Sequence, residues 1–340
     1  MLNFDGVGIL QSTARPSIKV QRQKTKTQFC MTTTPSSPFQ PNPTKSVDDD
    51  NLHSNESIFA FQPVLWISAV LIGSGAFHLA KLAFDGADWA GPLSLRKPAL
   101  FGISGGMTTW SIAWLMTQLR PRRYDRALAN AIAMGLLTEV ALITLQYWRG
   151  VGSHFNHATT IDAIIETAML GLILAVTLGI FYLTFRTIRL IAIEPAMAIA
   201  IRGGMGLLSL SCGLGILTTV LGEVSIALGT SYELWGRAGV LKFPHGVALH
   251  AIQLLPIVAW FVHWLQLPYP VRLIQAILAS QLFFLAYAIW QTSQGRDRFD
   301  WDAIGGLLLG IAVSLGVIPA LAIVVGCMAY LFRKPRRYLN

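Results

Sequence analysis

The sequence predicts an all-α, polytopic membrane helix bundle of about eight transmembrane helices, preceded by a disordered N-terminal tail. Three observations predict it. Apolar side chains make up 53% of the 340 residues and charged ones 13%, about half the charged fraction of an average soluble protein. Mean hydropathy is +0.53. Apolar runs of about 20 residues or more recur along the chain, each long enough for a hydrocarbon core of about 30 Å. The 30 glycines fit close packing of helices in lipid. Cys30, Cys212 and Cys327 are the three cysteines, and they form neither a CxxC pair nor a disulfide framework.

Residues 1–57 stand apart. They are rich in Ser, Thr, Pro, Gln and Asn, with Arg15, Lys19, Arg22, Lys24 and Lys26 early and Asp48, Asp49 and Asp50 late. Such a segment buries too little apolar surface to offset the cost of ordering it, so disorder is expected. A basic, acid-poor leader is similar to an organellar transit peptide; the competing reading is a mis-assigned start, with Met31 opening MTTTPSSPFQPNP. No apolar stretch follows the early charges, so no secretory signal is expected.

The transmembrane domain covers 58–332. Its spans fall at about 59–83, 98–119, 127–148, 161–185, 195–222, 245–266, 270–291 and 303–332. The last is long enough to tilt. Between the sixth and seventh, LPYP (267–270) is the only break, and its two prolines favour a tight turn. Residues 333–340 form a short basic tail.

Orientation follows from the short loops. Loops after the second, fourth, sixth and eighth spans carry eleven basic residues and two acids; the opposite loops carry seven basic residues and eight acids. Both termini are therefore expected in the cytoplasm. The pI near 9.7 does not signal nucleic acid, because the basic residues are dispersed and form no basic face; the lipid bilayer is the expected partner. Gly306 with Gly310, and Ser209 with Gly213, form small-xxx-small faces suited to helix packing or oligomerisation.

Ionisable groups at membrane depth are costly and mark candidate sites. With this orientation nearly all fall in the outer half. The candidates are His78 in the first span, Glu139 and Gln146 in the third, and Arg149, His154, Asn156 and His157 in the loop RGVGSHFNHATT. Asp162 and Glu166 open the fourth span, and His245, His250 and Gln253 the sixth.

Structural readings compete with each. Asp162 follows Thr159 by three residues, the capping-box spacing with Asp in place of Glu. Glu166 shares a face with Asp162, where two carboxylates would share a proton or a cation, or it pairs with Arg149. Glu139 either pairs structurally with a polar group of another span or carries a proton or substrate. Pro244 suits a first helical turn. His245 and His250 lie about 140° apart around a regular helix and cannot face one metal, whereas His250 and Gln253 lie about 60° apart. Pro256 leaves the Ile252 carbonyl without its helical donor.

The segments LSLRKPALFG (93–102), QYWRGVGSHFN (146–156) and KFPHGVALHAIQLLP (242–256) resemble parts of a group of uncharacterised bacterial multi-pass membrane proteins. The resemblance covers about residues 58–332. It implies a bacterial, inner-membrane protein and transfers no functional residue.

Three functions remain. The first is a redox or metal-binding protein, with a b-type haem or a metal ion held by histidines of different helices, for instance His78 with His250. His78, His154, His250 and Glu166 are its candidate ligands. Covalent c-type haem is excluded, since CxxCH is absent. The second is a proton-coupled transporter using Glu139, Glu166 and His250. The third is an outward-facing zinc-dependent membrane hydrolase with His154, His250 and Glu166 on the metal; neither HExxH nor GxSxG occurs.

Overall fold

The computed structural model describes residues 58–333, save 87, 90–92, 190–192 and 232–233. The expectations for the N-terminal tail, Met31 and the basic C-terminal tail lie outside the described residues. Nine helices follow one another among those described: α1 (Gln62–Asp85), α2 (Arg96–Gln118), α3 (Asp125–Trp148), α4 (Thr160–Arg189), α5 (Pro195–Ala227), α6 (Lys242–Leu249), α7 (Ala251–Trp264), α8 (Pro270–Ser293) and α9 (Ala303–Arg333). A two-residue hairpin, β1 (Leu234–Trp235) with β2 (Gly239–Val240), is antiparallel and precedes α6.

Seven segments are long and apolar enough to cross a membrane, with α6 and α7 counted as one. The protein is therefore a multi-pass membrane protein. The eighth expected span, α2, is a 23-residue helix of the same length class but lower hydrophobicity. Burial explains the difference. Pro98, Ala99, Gly102, Gly106, Thr108, Thr109, Ser111, Ile112 and Ala113 are all enclosed by protein, so this helix needs little lipid-compatible surface.

Small residues let α1 and α2 approach closely. A Cβ on Gly102 would lie 2.8 Å from Gly75 Cα, and one on Gly75 would lie 2.7 Å from the Ala99 carbonyl oxygen. Ser68 Oγ donates to the Gly106 carbonyl at 2.7 Å across the same contact. The other small-residue faces divide. Gly306 is covered by the Trp301 ring, and Ser209 Oγ meets Thr184 Oγ1 of α4 at 2.7 Å, while Gly213 and Gly310 face open space.

Two apolar clusters share α5. One unites α1 to α4 with Ile201, Met205 and Leu208 of α5; the other joins Ala196, Ala200 and Leu207 of α5 to α6, α7 and α8. The clusters meet where α2 touches α7. There the expected sixth span is interrupted. His250, with φ −96° and ψ 11°, separates α6 from α7, although Pro256 sits inside α7. The turn after α7 places Gln266 and Tyr269 at positive φ, 52° and 56°, which completes the reversal expected at LPYP.

The loops after α1, α3, α5 and α8 close one end of the bundle, called below the α3–α4 loop end. Ala238 N donates to the Gly295 carbonyl there at 2.9 Å, tying two of these loops together. Asp302 caps α9 by accepting from Ile304 N and Gly305 N, each at 3.0 Å. The Gly305 N–H, then Trp290 and Arg296, hold its carboxyl below the usual carboxylate range.

The opposite end is held by a buried ion pair. Arg186 of α4 is 1% exposed, and its guanidinium engages both Asp125 oxygens, with Nη1 on Oδ1 and Nη2 on Oδ2 at 3.2 Å. Nη2 also donates to the Arg120 carbonyl at 2.8 Å, and Asp125 Oδ2 accepts from Arg122 N at 2.8 Å. Removing one partner strands the other charge. Asp125→Ala is expected to destabilise the bundle by about 3–5 kcal/mol, whereas the apolar double replacement of Asp125 and Arg186 recovers most of that loss. Unfolding in detergent of the single and double variants checks this; equal losses in both would contradict it.

Candidate functional site

The loop joining α3 to α4 carries most of the candidates, and local chemistry fixes its path. Helix α3 closes with Gly150 at φ 71° and with Val151 N donating to the Gln146 carbonyl at 3.1 Å, a left-handed helix end that glycine permits. Thr159 and Asp162 then start α4 as a reciprocal cap: Asp162 N donates to Thr159 Oγ1 at 3.2 Å, and Thr159 Oγ1 to Asp162 Oδ2 at 2.7 Å. Asp162 Oδ1 accepts from Gln146 Nε2 at 3.0 Å and from Arg149 Nη1 at 2.8 Å. Arg149 also donates to Gln146 Oε1. Gln146 is fully buried and Asp162 nearly so. These three residues form a lock between α3 and α4, and Arg149 belongs to Asp162 rather than to Glu166.

Glu166 shapes the loop one helical turn later. Its Oε1 accepts from Phe155 N at 2.5 Å and its Oε2 from Asn156 N at 3.0 Å. Asn156 in turn donates from Nδ2 to the Gly152 carbonyl at 3.0 Å. Phe155 is held at φ 57°, with its ring against Gly222 of α5, where any Cβ would come within 2.6 Å of the ring. The loop is thereby pinned to α4 and α5, and its two histidines are directed to different places.

His157 meets two carboxylates. Its Nε2 lies 3.4 Å from Glu166 Oε2 and 3.6 Å from Glu223 Oε1 of α5. One ligand atom from each of the three residues falls within 4.8 Å of the others. His157 is exposed, while Glu166 and Glu223 are partly buried. This trio is the metal-capable group among the described residues. His157 is one of the sequence candidates, whereas Glu223 is not singled out by the sequence. No spacing rule links position 223 to 157 or 166; folding alone joins them.

His154 turns inward. Its Nε2 lies 3.8 Å from Glu139 Oε1, and its Nδ1 shares a 2.9 Å hydrogen bond with Ser153 Oγ. Glu139 is 4% exposed, and its Oε2 is buried with no hydrogen-bond partner. Its chain neighbour Val140 packs beside Gly105 of α2. Further along α2, Ser104 Oγ lies 3.4 Å from His250 Nε2, and Ser111 Oγ accepts from Gln253 Nε2 at 3.0 Å. Ser104, Thr108 and Ser111 fall within about 60° around the helix at 100° per residue. His250 Nδ1 and Gln253 Oε1 are buried and unpartnered as well. Neither serine is among the candidates the sequence singles out; the spacing of Ser104, Thr108 and Ser111 is the signal that marks them.

No known protein family, curated protein or solved structure matches the chain.

The remaining histidines have separate partners. His78 Nδ1 donates to the Ser74 carbonyl at 2.7 Å, and its Nε2 accepts from Trp148 Nε1 at 3.4 Å. His245 Nδ1 donates to the Ser211 carbonyl at 2.8 Å, and Ser211 Oγ donates back to the His245 carbonyl, also at 2.8 Å. His245 thus leans on α5 and His250 on α2, on opposite sides of the helix break. His154, His250 and Glu166, the trio expected around zinc, are given three different partners.

Burial, then the positive charges of Lys97 and Lys242, lower the His154 pKa from 6.5 to about 4. The unfolded chain therefore takes up a proton near pH 6.5, while the folded loop resists it until about pH 4. This group costs the fold nothing above that window and destabilises it as pH falls through it. Thermal unfolding in detergent is expected to show a smaller loss between pH 7 and pH 4 for His154→Asn than for the unaltered chain; parallel pH profiles would contradict the assignment.

Proposed function

We propose that the protein is an integral membrane protein that binds a divalent metal ion through His157 Nε2, Glu166 Oε2 and Glu223 Oε1. The separations of 3.4 and 3.6 Å from His157 Nε2 are the observation that carries this reading. Ligand bonds of about 2.1 Å in a tetrahedron give ligand-to-ligand edges of about 3.4 Å, so an ion fits with side-chain adjustments alone. One imidazole and two carboxylates form a mixed nitrogen–oxygen donor set suited to Zn²⁺ or Mn²⁺. The exposure of His157 and the partial exposure of Glu223 leave coordination positions open to water. Bound there, the metal would supply a Lewis acid and lower the pKa of a bound water, the chemistry of the hydrolase reading.

Haem fits less well. A bis-histidine arrangement with His78 and His250 needs a free nitrogen on each ring, and both His78 nitrogens are engaged. The charge asymmetry of the loops supports cytoplasmic termini and an outward-facing metal site. A bacterial inner membrane agrees with the sequence resemblance.

The test is titration of chelator-stripped, full-length protein in detergent with Zn²⁺ and with Mn²⁺, followed calorimetrically and by elemental analysis. One ion per chain is expected. Glu166→Gln and Glu223→Gln should each weaken binding by at least about a hundredfold, beyond what loss of an outer hydrogen-bond partner costs. His78→Asn should leave binding unchanged. Affinity should also fall as the solution is made acid, because protons compete with the metal for its ligands. Undiminished binding in both glutamine variants would reject the site.

A further inference from the structure

A second polar feature, separate from the metal-capable trio, lies inside the bundle. We propose that Glu139 is an intramembrane proton-binding site, reached from the α3–α4 loop end through Ser153 and His154. Four observations support it. Glu139 is more than nine-tenths buried on α3, and its Oε2 has no hydrogen-bond partner. Buried polar atoms are almost always satisfied, and exceptions point to an unplaced water, ion or proton. Its other oxygen faces His154 Nε2 at 3.8 Å.

The third observation is an entrance. A cavity of about 10 Å³ is lined by Ser94, Lys97, Ile143, Tyr147, Val151 and Ser153, which is room for one water. Ile143 lies one helical turn beyond Glu139, and Ser153 hydrogen-bonds His154 Nδ1. The cavity, the serine, the imidazole and the carboxylate thus form a sequence from the bundle end toward its interior. The fourth is continuity. Glu139 of α3 and the α7 groups belong to helices that both pack against α2, and His250 Nδ1 and Gln253 Oε1 also lack partners.

The step balances with no reactant beyond a solvent proton. A hydronium proton from bulk solvent is handed to the cavity water, which protonates Ser153 Oγ as the serine passes its own proton to His154 Nδ1. His154 gives its Nε2 proton to Glu139 Oε1, and neutral water remains in the cavity. The imidazole ends neutral in the other tautomer and is reset by ring rotation. His154 is suited to this, because a neutral imidazole both accepts and donates. The charged and titratable groups around α3 are otherwise committed. On α1, His78 is tied to Ser74 and Trp148. On α4, Asp162 pairs with Arg149 and Glu166 faces His157. Lys97 of α2 and Lys242 of α6 act on His154 as positive charges. Among the described residues, no lysine or arginine forms an ion pair with Glu139.

Infrared difference spectroscopy of the full-length protein in nanodiscs, titrated with pH, tests the assignment. A protonated-carboxyl stretch should grow as pH falls, vanish in Glu139→Gln and reappear at a shifted frequency in Glu139→Asp. Asp85→Asn, which alters an exposed carboxylate paired with Lys81, should keep it. The shifted Asp band guards against loss by misfolding, since only a carboxyl at position 139 produces it. His154→Phe should keep the band at equilibrium but slow its appearance after a pH jump by about a hundredfold, the scale of a missing proton shuttle. Absence of the band from the unaltered protein, or its survival in Glu139→Gln, overturns the proton site. An unchanged rate in His154→Phe overturns the route.

Discussion

A polar group inside a hydrocarbon-embedded bundle must find its partner within the chain, because no water is there to serve. This constraint arranges most of the molecule. Arg186 meets Asp125 and the Arg120 carbonyl, Gln146 meets Asp162 and Arg149, and His245 exchanges hydrogen bonds with Ser211. Serines and threonines without a distant partner fold back on their own helices, as Thr109 and Thr144 do to the carbonyls four residues earlier. Among the described residues, buried side-chain atoms without a hydrogen-bond partner remain on Glu139, Arg186, His250, Gln253, Gln291 and Arg296. Those of Glu139, His250 and Gln253 lie on α3 and on α7 or its N-cap, two helices that pack against α2.

The α3–α4 loop is where the same constraint becomes useful. Its ends are locked by Asp162, and its middle is held by Glu166 through two backbone N–H groups and by Phe155 inserted over Gly222. Carboxylates in the first turns of α4 also suit the positive end of the helix dipole. With the backbone fixed, three carboxylates decide direction: His154 points to Glu139, and His157 to Glu166 and Glu223. Glu166 therefore has two duties, holding the loop and facing an imidazole. A change at this residue moves both histidines, whereas a change at Glu223 touches only the exposed trio.

Much of this was legible in the sequence, and the reasons are physical. Long apolar runs predicted the helices, since only a helix or a closed barrel satisfies its backbone in lipid. Thr159 and Asp162 predicted their mutual cap, because a cap is local and depends on spacing alone. The site partners were less legible. Glu223 joins His157 across 66 positions and Ser104 meets His250 across 146, and no periodicity encodes contacts between distant helices. The break at His250 was also concealed, because PHGVALHAIQLLP is apolar enough to read as one helix and its visible breaker, Pro256, lies inside α7.

Helix α2 shows how one sequence property serves two ends. Its glycines allow α1 to approach backbone to backbone, and that proximity buries it away from lipid. Its exposed apolar surface is then confined to residues such as Leu100, Phe101 and Trp110, and serines can occupy the face turned toward α7. A more hydrophobic α2 would leave His250 and Gln253 without their hydroxyl partners. Replacing Ser104 and Ser111 with alanine would fill no space and clash with nothing. It would remove the hydroxyl contacts of His250 and Gln253, leaving more buried polar atoms unmatched where the two apolar clusters meet. The low hydropathy that sets α2 apart from the other seven spans is therefore the sequence-level trace of the bundle's polar interior.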